Sequence, residues 1–236
     1  CRVDLLVECF LLNYGRVDDK MMKDYNMYWE RCWQEEEPTE LFQYLDNYYR
    51  MTSNEIDIFK EHHAAKVCDV ACGFGAYSLA FASNGFQVYS FDISATAVEI
   101  TKSGLKKYGL ESDNVKAASI LDTGYADSFF DGVIAHAVID HLTLRDANTA
   151  LNEMLRITKT NGLVLITFDI AEDEDYEEEH LTFEDGTMEY VEGSRKEMLF
   201  RPYDWDMIDE LLKGYNIIYR DEKAKRERIV ILKKVG

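Results

Sequence analysis

The stretch Lys66–Ser94, KVCDVACGFGAYSLAFASNGFQVYSFDIS, restricts this chain more than any other. It opens with an apolar run, Val67 to Ala71, of the kind a strand buried on both faces requires. A turn with two glycines follows, Cys72-Gly73-Phe74-Gly75. The helix-compatible residues Ala76 to Ser83 come next, stopped by Asn84-Gly85. A second apolar run, Phe86 to Phe91, ends on Asp92. Strand, glycine turn, helix, strand, acid is the first unit of a nucleotide-binding α/β sheet.

The spacing has a chemical reason. Glycines let the backbone approach a ligand closely and present its N–H groups to it. An acid at the tip of the second strand can accept both hydroxyl protons of a ribose. Asp92 lies 19 residues after Gly73, close to the roughly 20 that separate such a loop from its acid. A nicotinamide-dinucleotide fingerprint, G-x-G-x-x-G, is incomplete here because Ser78 stands at its third glycine. An α/β turn without a ligand is the plainer alternative. The third reading is that Asp69-Val70-Ala71-Cys72-Gly73-Phe74-Gly75 resembles the D-x-G-x-G-x-G loop of class I S-adenosylmethionine (SAM)-dependent methyltransferases, with Ala71 where the first glycine usually sits.

The resemblance extends from about Lys66 to Phe168. Ser128-Phe129-Phe130-Asp131-Gly132-Val133 is similar to the family's s-F-D-x-V fourth strand, and Val138-Ile139-Asp140-His141-Leu142 to the v-l-x-H-l segment after it. Arg156 to Gly162 resembles the R-x-L-K-P-G-G turn before the fifth strand, Leu163 to Phe168. After the third strand, Val115 to Ser119, the family commonly places an acid against the adenine amino group. Ser119 occupies that place, and Asp122 is the alternative. The resemblance implies that Asp69 and the Ala71 backbone sit by the methionine end of SAM, with Gly73 and Gly75 giving close approach. It implies that Asp92 holds the ribose, Ile93 packs on adenine, Ser119 and Ile120 meet the adenine edge, and the His136 carbonyl meets the methionine amino group. His141 is the candidate general base for an acceptor that is protonated at neutral pH, such as a hydroxyl. A hydrogen-bonded histidine ordering its loop is the competing reading.

Upstream, Lys20 to Leu45 is rich in aromatic residues: Tyr25, Tyr28, Trp29, Trp33, Phe42 and Tyr44, with Arg31 among them. Tyr28, Trp29, Arg31 and Trp33 suit a lid whose rings shield a cationic sulfonium and whose arginine meets a carboxylate of cofactor or substrate. A packing arm with Trp29 and Trp33 on one helix face is equally open. A helix from Ser53 to His63, N-capped by Ser53, leads into the first strand. Beyond the fifth strand, seven of the eight residues Glu172 to Glu179 are acidic, a pattern that reads as a solvated loop and not as a metal cage. Glu184-Asp185-Gly186 marks a hairpin. A helix from Asp204 to Lys213 and two antiparallel edge strands, Tyr215 to Arg220 and Arg228 to Lys233, complete seven strands.

With 236 residues and a net charge of −19, the chain suits one domain whose acidic surface disfavours nucleic acid, since phosphates are held by Lys and Arg. The five cysteines form no metal-ligand pattern, so no metal is expected and a reducing cytoplasm is. Cys1 to Leu12 carries Arg2, Asp4 and Glu8 without a small-residue cleavage site, which argues against a secretory leader; Met21 or Met22 is a candidate start. The expectation is therefore an α/β, seven-stranded, mostly parallel, doubly wound Rossmann-like methyltransferase sheet with its last strand antiparallel. Residues 1–64 form a helical arm or lid, and 65–236 the SAM-binding domain with a substrate cap inserted at about 170–201. The resemblance implies methyl transfer from SAM, leaving S-adenosylhomocysteine (SAH), to a small-molecule acceptor by direct in-line displacement, in a monomer or homodimer without a membrane partner. A protein or RNA methyltransferase, or a non-catalytic SAM-binding protein, is the alternative.

Overall fold

The computed structural model describes residues 27–36, 52–223 and 226–236. The expected start at Met21 or Met22, and Tyr25, Phe42 and Tyr44 of the arm, lie outside the described residues.

In chain order the strands are β1 (Lys66–Val70), β2 (Gln87–Asp92), β3 (Val115–Ala117), β4 (Phe130–Ala135), β5 (Thr158–Asp169), β6 (His180–Thr182), β7 (Met188–Tyr190), β8 (Leu199–Phe200), β9 (Asn216–Lys223) and β10 (Glu227–Lys233). Seven of them form one sheet in the order β3-β2-β1-β4-β5-β10-β9. The pairs among β1 to β5 are parallel, and β10 runs antiparallel to both neighbours. This is the expected architecture. One detail differs: β10 is no edge strand, because it inserts between β5 and β9 and buries Ile229, Val230, Ile231 and Leu232.

Helix α1 covers residues 27–35. The others are α2 (Ser53–Glu61), α3 (Ala76–Ser83), α4 (Ala95–Lys107), α5 (Leu144–Ile157), α6 (Asp173–Glu177) and α7 (Trp205–Leu211). The strands are apolar on both sides because both sides are covered. Val67 joins Phe59 of α2 and Phe81 of α3 on one face. Cys68 and Val70 join Leu151 and Met154 of α5 and Ile208 of α7 on the other. Gly132 in β4 is needed for this fit, since a Cβ there would lie 2.4 Å from the Phe59 ring.

Four local expectations change. Thr52, not Ser53, is the N-cap of α2, and its side chain makes no capping bond. The Arg156-to-Gly162 turn is absorbed into α5 and β5, with Asn161 left-handed at φ 64° where the β4–β5 register shifts. The acidic run is not all loop: α6 forms within it, and Arg195 pairs with Asp175 at 2.5 Å and Glu178 at 2.5 Å. The hairpin pairs β6 with β7 as expected, but β8 adds a third strand that two residues alone could not signal. Among the described residues, no helix is long and apolar enough to cross a membrane.

Candidate functional site

The strand order reverses between β1 and β4, and ligands of open α/β sheets bind beyond the carboxyl ends of strands at such a point. There the chain lines a cavity of about 440 Å³, within the roughly 300–1,000 Å³ of small-ligand sites. Asp69, Ala71, Gly73, Asp92, Ile93, Ser119, Ile120, His136, His141, Trp29 and Trp33 all line it.

The glycine loop shapes its floor. Ala71 takes φ 53° and Gly73 φ 52°, a left-handed conformation that costs a non-glycine residue about 1–2 kcal/mol. Thr101 Oγ1 donates to the Gly73 carbonyl at 2.8 Å. Gly75 (φ 82°) caps α3 against Thr101 and stays off the cavity lining. The Asp92 carboxylate is anchored to the loop it faces: Gly73 N donates to it at 2.9 Å and Ser94 N at 2.9 Å. Burial raises its pKa, and those two N–H bonds oppose the rise. Asp69 is also buried, and that pushes it up to about 6 against the pull of Ser78, which donates from N at 2.9 Å and from Oγ at 2.5 Å. Ser78, the residue that broke the dinucleotide fingerprint, is thus held by Asp69.

Ser119 lines the cavity and its Oγ accepts from Leu121 N at 3.1 Å. Asp122 is exposed and outside the lining. His136 meets the site with more than its backbone: its Nε2 is 3.4 Å from Glu227 and its ring centroid 4.7 Å from that of Tyr77. Burial favours the neutral imidazole, but Glu227, Asp169 and Asp69 together outweigh it and the net shift is upward. The Nδ1 of His141 lies 2.8 Å from the Leu199 carbonyl. A carbonyl only accepts, so Nδ1 donates and the neutral ring keeps its lone pair on Nε2.

Helix α1 forms the roof. Trp29 stands edge-on to His141 with ring centroids 4.9 Å apart. Trp33 covers Gly73, whose Cβ would lie 2.7 Å from the indole. Tyr28 is turned the other way, into Met188, Tyr190, Met198 and Phe200, where burial pushes its hydroxyl up to about 12. Arg31 does meet a carboxylate, but that of Glu197 at 2.9 Å, outside the cavity. Reading the sequence also missed Glu30. It accepts from Ser94 Oγ at 2.6 Å, Thr96 Oγ1 at 2.6 Å and Thr96 N at 3.2 Å, which hold its carboxyl down to about 2. It thereby caps α4, where the helix dipole favours a negative charge. Cys72, Phe74, Tyr77, Asp146 and Leu199 were missed as lining residues as well. Position within the glycine loop could have found Cys72 and Phe74. Nothing in the sequence points to Leu199, which arrives from β8.

Residues 68–166 match the family model described as a methyltransferase domain. An uncharacterized protein of Rickettsia prowazekii is 28% identical over 106 residues, covering 44% of this chain and 42% of that protein. The chain thus spans less than half the length of that curated relative. A solved protein of Pyrococcus horikoshii superposes with a TM-score of 0.64 at 19% identity, over 78% of this chain and 89% of that one. Magnesium protoporphyrin IX methyltransferase from Synechocystis, solved with bound SAH, gives 0.59 at 16% identity, over 79% and 83%. At such identities these structural likenesses speak for the fold.

Proposed function

We propose that this chain, whose residues 68–166 match a methyltransferase-domain model, is a class I SAM-dependent methyltransferase that transfers the SAM methyl group to a small-molecule acceptor. The observation that carries this reading is the Gly73–Asp92 clasp at the reversal of strand order. A buried carboxylate faces a backbone that has no room for a Cβ, beside a ligand-sized cavity.

The residues present fit SAM. In this reading Asp69, the Ala71 backbone, Gly73 and His136 surround its methionine end, and Gly75 sets the turn from behind. Asp92 accepts from the ribose hydroxyls, Ile93 flanks the adenine, and Ser119 and Ile120 border its edge. When bound, the sulfonium supplies the electrophilic methyl group. The chain's part is to align an acceptor with that methyl and keep water out, which accounts for most of the rate in such displacements. Trp29 and Trp33 do so from the roof, and their π faces suit a cation. That makes α1 a lid, held down by Glu30 and Arg31, over a domain whose cap is the 170–201 excursion. His141, with Nε2 open, acts on the acceptor's proton. Enclosure by α1 and the net charge of −19 support a small acceptor over a polynucleotide. The free thiols of Cys32, Cys68 and Cys72 support a reducing cytoplasm.

The test is SAH release from the purified protein given SAM and a cell extract split into small-molecule, protein and RNA fractions. Turnover is expected with the small-molecule fraction, and His141→Ala should lower it by roughly 10²–10⁴-fold, the usual worth of a proton-transfer group. Turnover confined to the protein or RNA fraction would refute the acceptor class.

A further inference from the structure

The loop after β4 and the end of β5 bring together three side chains, of which only His141 lines the ligand cavity. Asp140, His141 and Asp169 each offer one donor atom, and these atoms lie within 4.8 Å of one another. Their state is unusual. Asp140 is fully buried. One of its carboxylate oxygens accepts from Asp169 N at 2.8 Å, and the other, Oδ1, has no partner. A buried, unsatisfied polar atom costs about 1–3 kcal/mol, and more when charged. Arg201 does not compensate it: its Nε and Nη1 are themselves buried without a partner. His141 donates from Nδ1 to the Leu199 carbonyl at 2.8 Å, the outer contact that fixes the ring and tautomer of a metal-ligating histidine. The cluster sits where the 440 Å³ cavity meets a second cleft of about 380 Å³, and His141 borders both.

We infer that Asp140, His141 and Asp169 form a binding site for a divalent transition-metal cation at the junction of these two cavities. One imidazole and two carboxylates suit an ion of the Mn²⁺ or Zn²⁺ type, which accepts both nitrogen and oxygen. Three protein donors leave coordination positions for water or a ligand. Asp140 and Asp169 are 29 residues apart in the sequence and meet only through the fold. One consequence rests on the methyl-transfer reading: the cation selects an acceptor with a hydroxyl oxygen. Bound to the ion, that hydroxyl loses its proton to water. An oxygen electron pair then forms the O–CH₃ bond as the S–CH₃ bond breaks and neutral SAH departs. In that case His141 holds the ion and takes no proton itself, in place of the general-base role given it above.

The experiment is titration of the whole chain with Mn²⁺, with free ion counted by electron paramagnetic resonance. One Mn²⁺ per chain is expected, with ¹⁴N modulation from an imidazole in the spin echo of the wild-type protein. Asp169→Asn and His141→Gln should each weaken binding at least about tenfold with circular dichroism unchanged. The paired change Glu174→Gln/Glu177→Gln, in the exposed acidic run, should leave binding intact. No saturable binding, no nitrogen modulation, or loss of binding only in the Glu174/Glu177 variant would overturn the site. SAM titrated into the same preparation keeps the two readings apart: SAM binding without Mn²⁺ binding refutes the metal site alone, and the reverse refutes only the SAM reading.

Discussion

Replacing Gly73 by alanine probes the roof and the floor of the cavity together. Gly73 has φ 52°, and an alanine there costs about 1–2 kcal/mol in backbone strain. Its Cβ would lie 2.7 Å from Trp33 Cζ2 and 2.9 Å from Cη2, where carbon atoms normally settle at ~3.5–4.0 Å. The indole must therefore retreat by about 1 Å. It rides on α1, which Glu30 ties to α4 and Arg31 ties to Glu197. Forcing it back is overpacking, worth about 1–3 kcal/mol. The total, about 2–5 kcal/mol, lowers Tm by roughly 4–20 °C in a chain of this length. In a Trp33→Ala background only the backbone strain is left, so Gly73→Ala should cost about 1–2 kcal/mol there. Urea denaturation of the four proteins of this cycle gives the coupling, expected at about 1–3 kcal/mol with Trp33→Ala relieving the strain. Additivity to within about 0.5 kcal/mol would show that the indole does not sit on Gly73 and would refute the roof.

Three further outcomes follow from the same geometry. Asp69 has a folded pKa of about 6 against an ordinary 3.8, so the folded state holds this proton more tightly than the unfolded one. Its share of stability is greatest below pH 3.8, declines as pH rises to about 6 and is flat above. Asp69→Asn should gain on the wild type by on the order of 2 kcal/mol between pH 4 and 7, read from urea midpoints; an unchanged difference would contradict the burial argument. Glu30→Ala removes the three hydrogen bonds that tie α1 to Ser94 and Thr96 and should speed amide exchange in residues 27–35 roughly tenfold, given the usual worth of bonds to a charged acceptor; unaltered protection would mean that Glu30 does not seat the helix. Gly132→Ala drives a Cβ to within 2.4 Å of Phe59 and should cost about 1–3 kcal/mol, visible as a lower Tm; a neutral result would place Phe59 elsewhere.

Much of this was legible because the residues concerned act locally. The run from Lys66 to Asp92 carries its own strand, turn, helix and acid, and α3 begins and ends on the residues that Gly75 and Asn84 predict. The expected strand Arg228 to Lys233 matches β10 to within a residue for the same reason. What could not be read comes from distant segments meeting. Leu199 reaches the cavity on a two-residue strand, Glu30 finds its partners 64 and 66 residues away, and Asp169 meets Asp140 across the sheet. Arg31 and Tyr28 were drawn toward the ligand by their residue types, but one turn of helix separates the faces of α1. Trp29 and Trp33 take the cavity face, leaving Tyr28 to Met188, Tyr190, Met198 and Phe200, and Arg31 to Glu197. Ser119, which stood in the acid's place, lines the cavity, whereas the alternative Asp122 is exposed.

The central claim is that the Gly73–Asp92 clasp holds the adenosyl group of SAM. Calorimetric titration of the purified chain with SAM, SAH and NAD, repeated on Asp92→Ala, tests it most directly. Micromolar binding of SAM and SAH is expected, with none of NAD and with loss of most of the affinity in the variant, whose fold is checked by circular dichroism. Failure of both adenosyl ligands to bind, or binding that Asp92→Ala leaves unchanged, would contradict it.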